Sequence, residues 1–118
     1  MSIARFIPAP DQGDAQVVVL AVELFEGATV VILATTIWEE LVAARFFEHD
    51  EPALVVDDDV GTEYRRRFQV SSSFADERRW SDSHGVHRIN LEFRPPVPEE
   101  ATYLRVTLGR WGSVVVML

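Results

Sequence analysis

The sequence predicts an all-β fold, an antiparallel sandwich of seven or eight short strands in one domain spanning residues 1–118. Three observations carry this. Turn-forming residues recur at the short intervals of an all-β chain, several segments alternate apolar with polar residues at period two, and the 118 residues hold 47% hydrophobic side chains, enough for one ordinary core. Cysteine is absent, which removes disulfides, thiolate nucleophiles and cysteine metal sites together and leaves packing to hold the fold.

The first strand is expected over Gln16 to Leu24, turning at Glu26-Gly27-Ala28 into a second over Thr29 to Ile37. The second is almost wholly apolar or β-branched, as a central strand buried on both faces must be. From Trp38 to Phe47 the pattern is ambiguous: Ile37, Trp38, Leu41, Val42 and Phe46 fit a helical stripe, while a hairpin turning at Glu39-Glu40, with a short strand over Leu41 to Glu48, keeps the chain uniformly β. The hairpin is the preferred reading. Ala53 to Asp57 and Thr62 to Ser72 follow as strands, with Tyr64, Phe68 and Val70 opposing Arg65, Arg67, Gln69 and Ser71, and with Arg66 breaking the alternation. In Val86 to Arg94, residues Ile89, Leu91 and Phe93 are expected inside while Arg88, Asn90, Glu92 and Arg94 face water; in Thr102 to Leu108, Leu104, Val106 and Leu108 oppose Tyr103, Arg105 and Thr107. Ser113 to Leu118 is a final apolar strand. If it lies at a sheet edge, either Ile3 to Pro8 covers it or two copies of the domain pair there.

Pro95, Pro96 and Pro98 cannot donate to a ladder, so they end one strand and force a crossover toward Thr102. Asp58 to Gly61 suits a hairpin reversal: an aspartate accepts backbone amides two residues on and Gly61 supplies positive φ. Three stretches, Thr36-Ile37-Trp38-Glu39-Glu40-Leu41-Val42, Val55-Val56-Asp57-Asp58-Asp59-Val60-Gly61-Thr62-Glu63-Tyr64, and Phe93-Arg94-Pro95-Pro96-Val97-Pro98-Glu99-Glu100-Ala101, resemble small uncharacterised actinobacterial domains with an Asp-Asp-x-Gly-Thr-x-Tyr hairpin. The resemblance implies an immunoglobulin-like sandwich, and its motifs are turn chemistry rather than active-site chemistry.

The net charge of -8 argues against general nucleic-acid affinity. Charge is uneven, at -10 over residues 1–59 and +2 over 60–118, and every basic residue is arginine. No basic region followed by an apolar run opens the chain, and the longest apolar stretch, Ala28 to Trp38, is too short to span a bilayer, so a cytoplasmic, non-membrane protein is expected. Asp57, Asp58 and Asp59 beside Glu63 offer oxygen ligands for calcium, but alternation along a strand keeps adjacent carboxylates apart. His84 and His87, with His49 elsewhere, lack a third metal ligand, and His87 reads as a half-buried packing residue. Ser71, Ser72 and Ser73 lack the glycine-flanked elbow of a hydrolase. Arg65, Arg67, Arg88 and Arg105, with Tyr103 and Trp80 as aromatic companions and Arg66, Arg78 and Arg79 nearby, form a cationic stripe if their strands are neighbours in one sheet; otherwise they pair with Glu63, Glu92 and carboxylates of the first half. The expected function is therefore a non-enzymatic interaction or accessory module with a protein partner or a second copy, and no cofactor. Small-ligand or calcium binding is the alternative, and a small hydrolase comes after it.

Overall fold

The computed structural model describes residues 3–46, 54–71 and 86–118, without the side chains of residues 3, 4 and 67–71. The elements are β1 (Ile3–Pro8), β2 (Val17–Phe25), β3 (Thr29–Thr35), α1 (Trp38–Ala43), β4 (Leu54–Asp58), β5 (Arg65–Ser71), β6 (His87–Arg94), β7 (Tyr103–Leu108), a single 3-10 turn over Gly109–Trp111, and β8 (Ser113–Met117). All ladders are antiparallel. Two sheets result, one in the order β1-β2-β3-β6-β5 and one in the order β4-β7-β8.

Alternation decides what each strand contributes to the core between them. Val17, Val19, Val22, Val31, Leu33, Ile89, Leu91 and Phe93 from the larger sheet meet Leu54, Val56, Leu104, Val106, Leu108, Val114 and Val116 from the smaller. β3 occupies the middle of its sheet and is buried along nearly its whole length, as its apolar composition requires. The break of pattern at Arg66 coincides with a register shift between Arg66 and Phe68 on β5, where an extra residue lets the strand change phase. Glu92, expected to face water, is half-buried.

Three expectations are corrected. Trp38 to Ala43 is a helix rather than a hairpin arm, and no strand begins at Leu41. A two-residue hairpin loop needs positive φ at its centre, which Glu39 and Glu40 adopt only at a steric cost, whereas acidic side chains suit the first turn of a helix. The helix stops on paired backbone bonds, from the Phe46 amide to the Leu41 carbonyl and from the Arg45 amide to the Val42 carbonyl, with Arg45 at φ 58°. This arrangement brings Leu41 and Phe46, both fully buried, together against the core. Second, Asp58 to Gly61 does turn the chain, with Gly61 at φ 82°, but β4 and β5 lie in different sheets, so it is a crossover and not a hairpin. Third, Ile3 to Pro8 is itself a strand, paired with β2. It approaches β8 across the open side of the sandwich without forming a ladder with it.

Candidate interaction surface

The condition for a cationic stripe, that the strands of Arg65, Arg67, Arg88 and Arg105 be neighbours in one sheet, is not met. Arg65 lies opposite Arg94 at one end of the β5–β6 ladder, while Arg88 lies at the far end of β6 opposite Ala34 of β3. The two positions on β6 are six residue steps apart, about 20 Å. Arg105 is on β7 in the other sheet. Arg67 lies within the irregular part of β5, and its side chain, like Arg78, Arg79 and Trp80, is outside the described residues. No single-sheet cationic stripe can therefore run through Arg65, Arg88 and Arg105. Instead, Arg105 grips Asp57 across the β4–β7 ladder through two bonds of 2.8 and 3.3 Å, and Arg65 and Arg94 reach Glu63 and Glu92, each at 3.3 Å. The Arg105–Asp57 contact joins the basic second half to the acidic first half. Exposed pairs of this kind contribute at most about 1 kcal/mol each.

The acidic turn sends its three carboxylates to three different partners. Asp57 faces outward to Arg105. Asp58, 7% exposed, faces inward, where Oδ1 accepts the amides of Val60 and Thr62, both at 3.0 Å, and Oδ2 accepts the Tyr64 hydroxyl. Burial pushes the Asp58 carboxyl up, but hydrogen bonds from Thr62, Tyr64 and Val60 outweigh it and hold the group at about 2. Burial and the neighbouring Asp58 raise the Tyr64 phenol. Asp59 accepts the Thr102 hydroxyl at 2.6 Å and its amide at 2.8 Å, which lowers its own pKa and fastens the turn to the start of β7. Among the described residues no three His, Asp or Glu side chains converge in a metal-binding group.

His87 is half-buried, as its strand phase predicts, and stacks on Trp38 with ring centres 5.1 Å apart. Its Nδ1 is enclosed without a hydrogen-bond partner. A cavity of about 460 Å³ opens beside it, lined by Thr36, Ile37, Glu39 and Glu40, but Glu40 is engaged by Arg110 at 3.1 Å. His49, His84, Ser72 and Ser73 fall outside the described residues.

Among the described residues four strands, β1, β5, β4 and β8, lie at sheet edges, and they differ in how they are protected. β1 carries Arg5, Pro8 and a register irregularity; β5 carries three arginines and a bulge; β4 ends in two aspartates. Charge, proline and bulges are the devices that keep sheet edges from pairing. β8, Ser-Val-Val-Val-Met, has none of them. Its backbone phase follows from two flanking bonds, Leu118 N–H to the Thr102 carbonyl and Leu108 N–H to the Gly112 carbonyl. Antiparallel ladders alternate bonded and non-bonded pairs, so Val114 and Val116 spend their amides and carbonyls on β7, while Ser113, Val115 and Met117 point theirs outward. The side chains of Val115 and Met117 are 42% and 66% exposed, on the same outer face as Tyr103, which lies opposite Met117. Beside the start of β8 a cleft of about 340 Å³ separates it from the Pro10–Gln12 segment.

Sequence reasoning missed one contact that shapes this side of the molecule. Gln12 clamps β2 at its register shift: its Oε1 accepts the Val19 amide at 2.8 Å and its Nε2 donates to the Val19 carbonyl at 2.7 Å. Nothing local in the sequence marks Gln12 as a strand surrogate seven residues from its target. Comparison of the chain with protein-family models, with curated proteins and with solved structures finds no match.

Proposed function

We propose that this chain is a protein-interaction module of immunoglobulin-like architecture, binding an extended partner strand along β8. The architecture is supported by strand order. β2-β3-β6-β5 against β4-β7-β8 corresponds to the ABED and CFG sheets of a constant-type immunoglobulin domain, with β1 as an additional strand beside the first. The function rests on one observation: among the described edge strands β8 is the one without charge, proline or bulge, and although β1 approaches it without forming a ladder, the main-chain groups of Ser113, Val115 and Met117 turn outward over exposed apolar side chains. Strand addition draws its affinity from such groups and its specificity from alternate side chains.

A peptide copying residues 113–117, flanked by soluble residues and titrated into the isotope-labelled domain, tests this by amide resonance and hydrogen exchange. Ser113, Val115 and Met117 should shift and gain protection, while Val114 and Val116, already bonded to β7, should change little. Absence of any response at the three outward amides would remove the proposal.

A further inference from the structure

Resting on the reading of β8 as a docking strand, we infer that its occupant is a second copy of this chain, paired β8 to β8 antiparallel about a two-fold axis at Val115. The two three-stranded sheets would then merge into one of six strands.

Self-complementarity carries the argument. Two-fold pairing requires that residues facing each other across the seam share the same backbone phase. With the axis at Val115, Val115 meets its own copy and Ser113 meets Met117, all of them residues whose amides and carbonyls point outward. The inward pair Val114 and Val116 falls opposite itself in the alternating positions. Every free donor on the edge finds an acceptor on the copy.

Side chains agree with the backbone. On the outer face the exposed Val115 and Met117 of each copy close over one another, flanked by Tyr103. No ionisable side chain lies on β8, and the nearest, Arg105, is already neutralised by Asp57, so the seam opposes no like charges. A second copy at β5 would instead bring the three arginines of each chain into one seam. The remaining obstacle is the net charge of -8 on each copy, a diffuse repulsion screened over about 8 Å at physiological salt. Association should accordingly strengthen as ionic strength rises from low values to about 0.15 M.

Sedimentation of the full chain over a concentration series tests the inference, with Val115→Pro and Val115→Lys as variants. Proline at 115 removes only an outward amide, so the β7–β8 ladder survives, and lysine places like charges across the axis. Both variants should stay folded by circular dichroism and sediment as monomers, where the intact chain is a dimer. The chain has no cysteine, so Val55→Cys, on the exposed face of β4, carries a single spin label without disturbing the Arg105–Asp57 pair; five interstrand steps and an offset of four residues put the two labelled Cα atoms about 28 Å apart. A dimer that survives both Val115 variants, or a Val55 spacing far from that value, overturns the pairing. A chain that remains monomeric yet takes the 113–117 peptide overturns the second copy and leaves strand addition standing; a monomer that also ignores the peptide overturns both.

Discussion

The Tyr64 hydroxyl donates to Asp58 Oδ2 at 2.7 Å, closing a turn whose other Asp58 oxygen already holds two backbone amides. One carboxylate thus organises the crossover from the smaller sheet to the larger. Asp58→Ala should cost about 3 kcal/mol, because it strands a half-buried tyrosine hydroxyl and two amides, and Tyr64→Phe about 1 kcal/mol, because it removes one donor to a charge. The acid-dependent part has a definite sign. A carboxyl lowered from 3.8 to about 2 in the folded state stabilises by roughly 2 kcal/mol at neutral pH, a contribution that is present above pH ~4 and lost as pH falls through about 2. Urea denaturation from neutral to acid pH should show this loss in the native chain and lack it in Asp58→Asn.

Gln12 substitutes for a missing strand opposite Val19. Gln12→Ala should cost about 1 to 2 kcal/mol and accelerate exchange of the Val19 amide. Gln12→Glu should keep that amide protected while losing the bond to the Val19 carbonyl. An unchanged Val19 amide in Gln12→Ala would refute the clamp.

Leu91 is fully buried between the sheets, and Leu91→Ala should cost roughly 2 to 5 kcal/mol in chemical denaturation. Val42→Ala is the matched control, since Val42 is largely exposed on α1, and it should stay within about 0.5 kcal/mol of the native chain.

Asn90 faces away from the core on β6, opposite Ile32 of β3, with its Oδ1 enclosed and unpartnered. Replacing an unsatisfied polar group in a strand by a β-branched apolar one relieves that cost. Asn90→Val should therefore raise stability by about 1 kcal/mol, read as an increased urea midpoint.

Where period-two alternation was strong, the fold was legible in the chain. Ile89, Leu91, Phe93, Leu104, Val106 and Leu108 are all buried as their phase requires, because a half-buried strand records its orientation in every second residue. Which sheet a strand joins leaves no such local record, so Arg105 could be placed on a strand but not apart from Arg65 and Arg88. The helix at Trp38 was hidden for a related reason: it is six residues long, too short for a 3.6-residue period to outweigh the surrounding β pattern. On β8 the lack of charge and proline was visible from the start, but the outward phase of Val115 became fixed only through the bonds at Leu108 and Leu118. Pro8 and Arg5 mark β1 as an edge only once it is known to be a strand at all.

The central β3–β6 ladder joins Thr29 to Phe93 and Thr35 to His87, partners separated by about half the chain length. Such a pairing cannot be reached by zipping a hairpin; the intervening chain must first be gathered into a large loop whose entropy is spent before the contacts repay it. Refolding should consequently run on the millisecond-to-second scale of chains dominated by distant contacts, with the β2–β3 and β7–β8 hairpins available long before the sheets close. Until β6 arrives, β3 offers an apolar edge to solvent, so the interval before closure is when this chain is most exposed to misassociation with its neighbours.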